Sequence, residues 1–152
     1  MSYCGLDFGT SNSTIGINQQ GIIKMVALDG EKTTLRSAIF INEEAKSINY
    51  GSEAITNYIN SIEGRLLMSL KSVLGSSLMD EKTRVFNKME TFTDILGHFI
   101  THIKRKAEQQ TQTALEQIVM GRPVYFKDND PEVDHLAQDT LESILTRVGF
   151  KD

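Results

Sequence analysis

Apolar positions recur along this chain with two periods. Tyr3, Leu6 and Phe8 surround the small Cys4 and Gly5 before the turn-forming Gly9-Thr10-Ser11-Asn12, so residues 3–8 read as a short buried strand. Residues 13–18 alternate around Ile15 and Ile17, and residues 21–28 carry Ile22, Ile23, Met25, Val26 and Leu28. Gln19-Gln20-Gly21 between these two runs is a hairpin-type connection, which predicts a three-stranded antiparallel meander. Two further strands are expected at 37–41 and 47–50, with Asn42-Glu43-Glu44 turning between them. Ser52 is placed to cap a helix over 53–61, and 65–74 reads as a second helical stretch closed by Gly75. A polar segment, 76–88, leads into the longest predicted helix, 93–113. Its apolar stripe is Ile95, Leu96, Phe99, Ile103 and Ala107, and its opposite face, with Lys104, Arg105, Glu108 and Gln109, reads as solvated. Residues 117–121 form an apolar strand that Arg122-Pro123 ends, because proline cannot donate to a sheet ladder. Asp130 as N-cap and Pro131 at the first helical position then open a helix with Val133, Leu136, Ala137, Leu141, Ile144, Leu145 and Val148 at helical spacing, as far as Gly149. A strand followed by a helix begins a βαβ unit.

Composition narrows the class. At 152 residues the chain suits one compact domain, and 39% hydrophobic with 24% charged residues is ordinary for a globular protein. A formal net charge of −4 leaves no nucleic-acid footprint. No apolar run approaches the roughly 20 residues that span a bilayer, and Met1-Ser2-Tyr3 lacks the basic stretch of a signal peptide. A cytoplasmic location, away from membranes, is the expectation. The single cysteine and three histidines supply neither an internal disulfide nor a Cys/His zinc cage.

Chemistry concentrates in Gly5-Leu6-Asp7-Phe8-Gly9-Thr10-Ser11-Asn12-Ser13. A carboxylate at a strand end, followed by small residues whose N–H and hydroxyl groups can face an anion, suits Mg²⁺ at Asp7 and phosphates at Gly9 to Asn12. A turn glycine with a capping aspartate accounts equally well for the bare Asp-Phe-Gly-Thr tetrapeptide. No Gly-Lys-Thr/Ser phosphate loop and no Gly-x-Gly-x-x-Gly fingerprint is present. His98 and His102 stand four residues apart but lack the Glu and third ligand of a zinc helix, which makes them surface or packing residues. Cys4 reads as a small core residue, and Lys104-Arg105-Lys106 as a solvated helical face.

The nonapeptide from Gly5 to Ser13 resembles the first phosphate loop of the actin-like ATPase superfamily, and within it the seventy-kilodalton heat-shock chaperones of the DnaK type. Leu35-Arg36-Ser37-Ala38-Ile39-Phe40 is similar to the segment after that family's first meander, and Tyr50-Gly51-Ser52-Glu53-Ala54 to its Gly-Asp/Glu-x-Ala helix start. Leu70-Lys71-Ser72-Val73-Leu74-Gly75 resembles its catalytic-lysine helix, and residues 119–126 resemble its Val-Pro-Ala-Tyr-Phe strand end. Gly121-Arg122-Pro123-Val124 points to the divergent, short YegD-like branch.

The resemblance implies an α/β fold: a ribonuclease-H-like (actin-like ATPase) lobe from residues 1–30 and 115–152, with an inserted α+β subdomain over 31–114. The sheet would be truncated before its last parallel strand. It further implies ATP/ADP and Mg²⁺ as cofactors, with Asp7 orienting Mg²⁺-bound water, Gly9, Thr10, Ser11 and Asn12 gripping the β- and γ-phosphates, and Lys71 steadying the γ-phosphate. Two departures stand out: Arg122-Pro123-Val124 replaces Val-Pro-Ala, and Asp128-Asn129-Asp130-Pro131 lacks the arginine of Asp-Ser-Gln-Arg. Proline-to-linker allostery of the standard type is therefore not expected. The family's remaining site residues, including its adenosine loop, would lie beyond Asp152, so nucleotide binding by residues 1–152 alone should be weak and hydrolysis should need a C-terminal second lobe. Unfolded polypeptides and co-chaperones are the partners implied, and self-association of the isolated lobe is expected. The alternatives are a non-catalytic nucleotide-sensing or interaction module, and a sugar kinase of the same superfamily.

Overall fold

The computed structural model describes residues 3–121, 126 and 129–151. The meander forms as expected: β1 (Tyr3–Phe8), β2 (Asn12–Gln19) and β3 (Ile22–Met25) pair antiparallel in sequence order. A short β4 (Leu35–Arg36) returns to pair with the start of β2, Ser13 opposite Leu35. A second sheet follows, built from β5 (Ala38–Asn42) and β6 (Ser47–Tyr50), with helix α1 (Gly51–Ile59) leading to β7 (Gly64–Met68) on the other side of β5. After the 3₁₀ turns Leu70–Val73 and Ser77–Asp80 come a hairpin of β8 (Lys82–Val85) and β9 (Lys88–Thr91), then helix α2 (Phe92–Thr111). The chain returns to the first sheet as β10 (Gln117–Gly121), parallel to β1, and closes with helix α3 (Pro131–Val148). The first sheet thus runs β10-β1-β2-β3, an α/β arrangement with one parallel pair.

One face of that sheet meets the helices. Alternation in β1 buries Cys4, Leu6 and Phe8 and leaves Tyr3, Gly5 and Asp7 exposed, the period-2 pattern of a half-buried strand. Phe8 packs on Phe99 of α2 with ring centroids 6.0 Å apart, and Ile95, Leu96, Ile100 and Ile103 complete the stripe with α3 residues Ala137, Leu141 and Ile144. Leu136, also at helical spacing, is half exposed. A capping box at Thr91 and Asp94 starts α2; Asp130 caps α3 through the Val133 N–H, with Pro131 at its first position and Gly149, φ 96°, ending it. Lys151 N–H then donates to the Glu116 carbonyl (2.7 Å), beside the start of β10.

Four expectations are corrected. Residues 65–74 are not a helix: Leu66 and Leu67 pair with Phe40 and Ile39 of β5, and cross-strand pairing outweighs their helix propensity. Ser69 at φ 58° ends the strand, and a single 3₁₀ turn follows. Gly75 therefore caps no α-helix; a Cβ there would stand 2.4 Å from the Val133 carbonyl oxygen, so the residue permits close approach to α3. Ser52 is not an N-cap, since α1 starts one residue earlier and the Ser52 N–H and hydroxyl both donate to the Asp29 carboxylate. Residues 76–88 hold a 3₁₀ turn, β8 and the start of β9 rather than a plain polar segment. Lys104 and Glu108 do not lie on a solvated face: Lys104 is 13% exposed, donates to the Val148 and Gly149 carbonyls and sits over the Phe150 ring, while Glu108 accepts from the Leu115 N–H.

Candidate functional site

The site is built at the end of β1, where the exposed face of the strand meets the turn into β2. Asp7 lies on that face between Thr14 of β2 and Gly121 of β10. The turn closes on itself through the Gly9 N–H, which donates to the Asn12 carbonyl (2.9 Å). A Cβ on Gly9 would stand 2.3 Å from that same carbonyl oxygen, so only glycine fits there. Thr10, Ser11 and Asn12 are exposed, and among the described residues no acceptor engages the Thr10 or Ser11 N–H. Two small hydroxyl residues and outward amides are therefore offered to solvent beside one carboxylate.

Lys71 reaches the same point from the second sheet. It stands on the 3₁₀ turn that follows β7, and its ammonium donates to the Phe8 carbonyl, 5.7 Å from the centre of the Phe8 ring. Partial burial lowers its pKa, and the negative charge of Asp7 works in the opposite direction. Asp7 and Lys71, 64 positions apart, thus act on each other electrostatically. Ser37, the first residue of the strand expected at 37–41, also meets the turn. Its hydroxyl donates to the Gly9 carbonyl (2.8 Å) and contacts the Ser13 hydroxyl (2.9 Å), and its N–H donates to the Ser11 carbonyl (2.9 Å). A lone hydroxyl between exposed Arg36 and the fully buried β5 was the only signal that could have marked it.

The open face of the first sheet also forms a groove of about 500 Å³ that ends at Asp7, with Gly5 and Gly16 in its floor and Tyr3, Met25 and Val119 in its walls. Other candidates stay apart from the site. His98 pairs with Glu90 (2.7 Å), while His102 stacks on Tyr50 at 4.2 Å and burial lowers its pKa to about 4. Cys4 is buried, which pushes its thiol up to about 11, and it faces the Gln117 carbonyl. A thiol held protonated at neutral pH is a poor nucleophile. Among the described residues no group of three His, Cys, Asp or Glu could enclose a metal ion. A single hard-oxygen carboxylate beside exposed amides and hydroxyls could hold a magnesium ion that keeps most of its water shell. Residues 122–125 and 127–128, which carry much of the divergent strand end and of the segment after it, lie outside the described residues.

A family model described as Hsp70 protein matches residues 3–134. The chaperone protein HscA homolog of Rickettsia prowazekii (strain Madrid E) is 26% identical over 135 residues, covering 82% of this chain and 22% of that protein. The HscA homolog of Actinobacillus pleuropneumoniae (serotype 5b, strain L20) is 24% identical over 143 residues, with 82% and 23% covered. The chain spans about a fifth of the length of these curated relatives.

Proposed function

Because the chain belongs to the Hsp70 family, we propose that it is the phosphate-gripping N-terminal lobe of an ATP-hydrolysing chaperone domain, active only with a second lobe. The observation that carries this reading is the meeting of Lys71, Asp7 and the Gly9–Asn12 turn at one end of β1, with the lysine ammonium on the carbonyl next to Asp7. In this reading Gly9, Thr10, Ser11 and Asn12 hold the β- and γ-phosphates through N–H and hydroxyl donors. Asp7 would hold the metal through its bound water. Lys71 leaves the Phe8 carbonyl and places its charge against the γ-phosphate oxygens, where negative charge grows during transfer. Mg²⁺, when bound, would neutralise charge along the polyphosphate.

The division into a ribonuclease-H-like part, 1–30 with 115–152, and an insertion, 31–114, is part of the same proposal, as are a cytoplasmic location and partnership with unfolded polypeptides and co-chaperones. No described helix is long and apolar enough to cross a membrane. Assignment to the YegD-like branch rests on residues 121–124 alone. For residues 1–152 on their own we propose self-association, favoured by Val119, 69% exposed on β10, and by an outer edge of that strand that no other strand pairs with among the described residues.

The test measures hydrolysis by this lobe together with the second lobe that the reading requires. Lys71→Ala should lower single-turnover ATP hydrolysis by roughly 10²-fold or more with little change in nucleotide affinity, because the lost charge matters most in the transition state. Asp7→Asn should raise the magnesium concentration needed for turnover. Unchanged single-turnover hydrolysis in Lys71→Ala would reduce Lys71 to a surface lysine and remove the reading.

A further inference from the structure

We propose that Ser37 is a positioning residue that aims the Thr10 N–H outward through a two-hydroxyl relay; the consequence for phosphate rests on the reading above. A carbonyl can only accept, so the single Ser37 hydroxyl hydrogen goes to the Gly9 oxygen at 2.8 Å. The Ser37 oxygen must then accept at 2.9 Å from Ser13, which fixes the order Ser13 O–H to Ser37 O–H to Gly9 C=O. Ser13 is 1% exposed, so its hydrogen depends on Ser37 for a partner.

The peptide unit is planar and trans, so the carbonyl of one residue and the N–H of the next point in opposite directions from one rigid plane. Holding the Gly9 carbonyl toward Ser37 therefore turns the Thr10 N–H away from it, into the exposed part of the turn. The Ser37 N–H does the same to the next plane but one by holding the Ser11 carbonyl (2.9 Å). Lys71, on the Phe8 carbonyl, holds the plane before. All three contacts come from neighbouring chain ends of the second sheet, since Ala38, directly after Ser37, is paired with Met68, three residues before Lys71. The outward donors suit the oxygens of a polyphosphate.

The experiment measures backbone ¹⁵N order parameters of the 152-residue chain, with and without inorganic tripolyphosphate, for the native sequence, Ser37→Ala, Ser37→Thr and Ser13→Ala/Ser37→Ala. Thr10 should show a rigid amide, with an order parameter of about 0.85, in the native sequence and in Ser37→Thr, falling below about 0.6 in Ser37→Ala. The double variant removes the stranded Ser13 donor, which relieves any general destabilisation, and should still leave Thr10 loose. Amides of 38–42 and Gly21 should not change in any variant. A Thr10 amide that stays rigid in the double variant, or loosens equally in Ser37→Thr, overturns the proposal. Absence of any tripolyphosphate shift at Thr10 and Ser11 in the native chain would count against the phosphate reading, while the order parameters would still decide the role of Ser37.

Discussion

The two turns at the ends of β2 solve the same geometric problem with different means. Gln20-Gly21 joins β2 to β3 as a two-residue loop closed by the Gln19–Ile22 pair, both residues with positive φ (54° and 84°), the primed geometry that matches strand twist. Its one side-chain support, the Asn18 carboxamide oxygen accepting from the Gly21 N–H (2.8 Å), comes from three residues away. The Gly9–Asn12 turn has no residue of positive φ; besides its own Gly9 N–H to Asn12 carbonyl bond (2.9 Å) it is held by Ser37 and Lys71, 28 and 63 positions from the carbonyls they engage. One turn is specified by its own dipeptide; the other is held from a second sheet. A turn held from outside can present its donors in a fixed direction, which anion binding needs and a plain hairpin does not.

The sharpest way to break this comparison is to add the same methyl group to each glycine. At Gly9 the new Cβ meets the Asn12 carbonyl oxygen at 2.3 Å, a backbone atom inside a closed turn that cannot step aside. Gly9→Ala should cost about 2–3 kcal/mol, in the upper range for overpacking, and should abolish polyphosphate binding. At Gly21 nothing lies within 4 Å, and only the left-handed φ opposes alanine. Gly21→Ala should cost about 1 kcal/mol and leave binding intact. Urea denaturation with a tripolyphosphate titration checks both variants, and equal costs would mean that the turns are not held differently.

The same contrast explains what could be read from the sequence. The hairpin, the β1 alternation, the α2 stripe and the Asp130-Pro131 start of α3 are local patterns, and each formed where it was expected. The helical pattern of 65–74 misleads because the partners of Leu67 and Leu66, Ile39 and Phe40, lie 28 and 26 positions earlier, and a Leu-Leu pair suits a helix as well as a strand. Ser52 resembled a cap, yet its true partner, Asp29, lay 23 positions away. At the candidate site, Asp7 and the small residues of the turn stand out in the sequence as residue types, and Lys71 only through resemblance. Ser37 was invisible as a turn contact because no local rule marks a serine that bonds a carbonyl 28 positions earlier.

Acid should loosen the second sheet, and with it the held turn, by a smaller amount. Tyr50, at the end of β6, stacks on His102 of α2 at 4.2 Å and contacts Phe99 at 6.2 Å. Burial, then the charge of Lys106, lowers the His102 pKa to about 4, with Asp29 opposing them. The folded chain therefore keeps this histidine neutral, while the unfolded chain takes up a proton below about 6.5. Its contribution is complete above that pH and is lost as pH falls toward 4, so stability should rise with pH across this window. His102→Phe, measured by urea denaturation at several pH values, should flatten that part of the slope. The Thr10 amide should gain mobility in acid before Gly21 does. Equal response at the two turns would show that the second sheet does not transmit its loosening to the site.

The smallest effect belongs to the free turn's own side-chain support. The Asn18–Gly21 bond is exposed, so water replaces the lost acceptor when Asn18 becomes Ala. A net cost of about 0.5 kcal/mol, the low end for a single hydrogen bond, is expected in urea denaturation. Asn18→Asp keeps an oxygen at the same reach and should cost less. Neither change should move the Thr10 amide or tripolyphosphate binding, because Asn18 is at the opposite end of β2 from the site. A loss above about 1.5 kcal/mol, beyond the usual range for one bond, would show that Gln20-Gly21 does not close through its backbone geometry alone. The two turns would then differ only in how far away their supports lie in sequence.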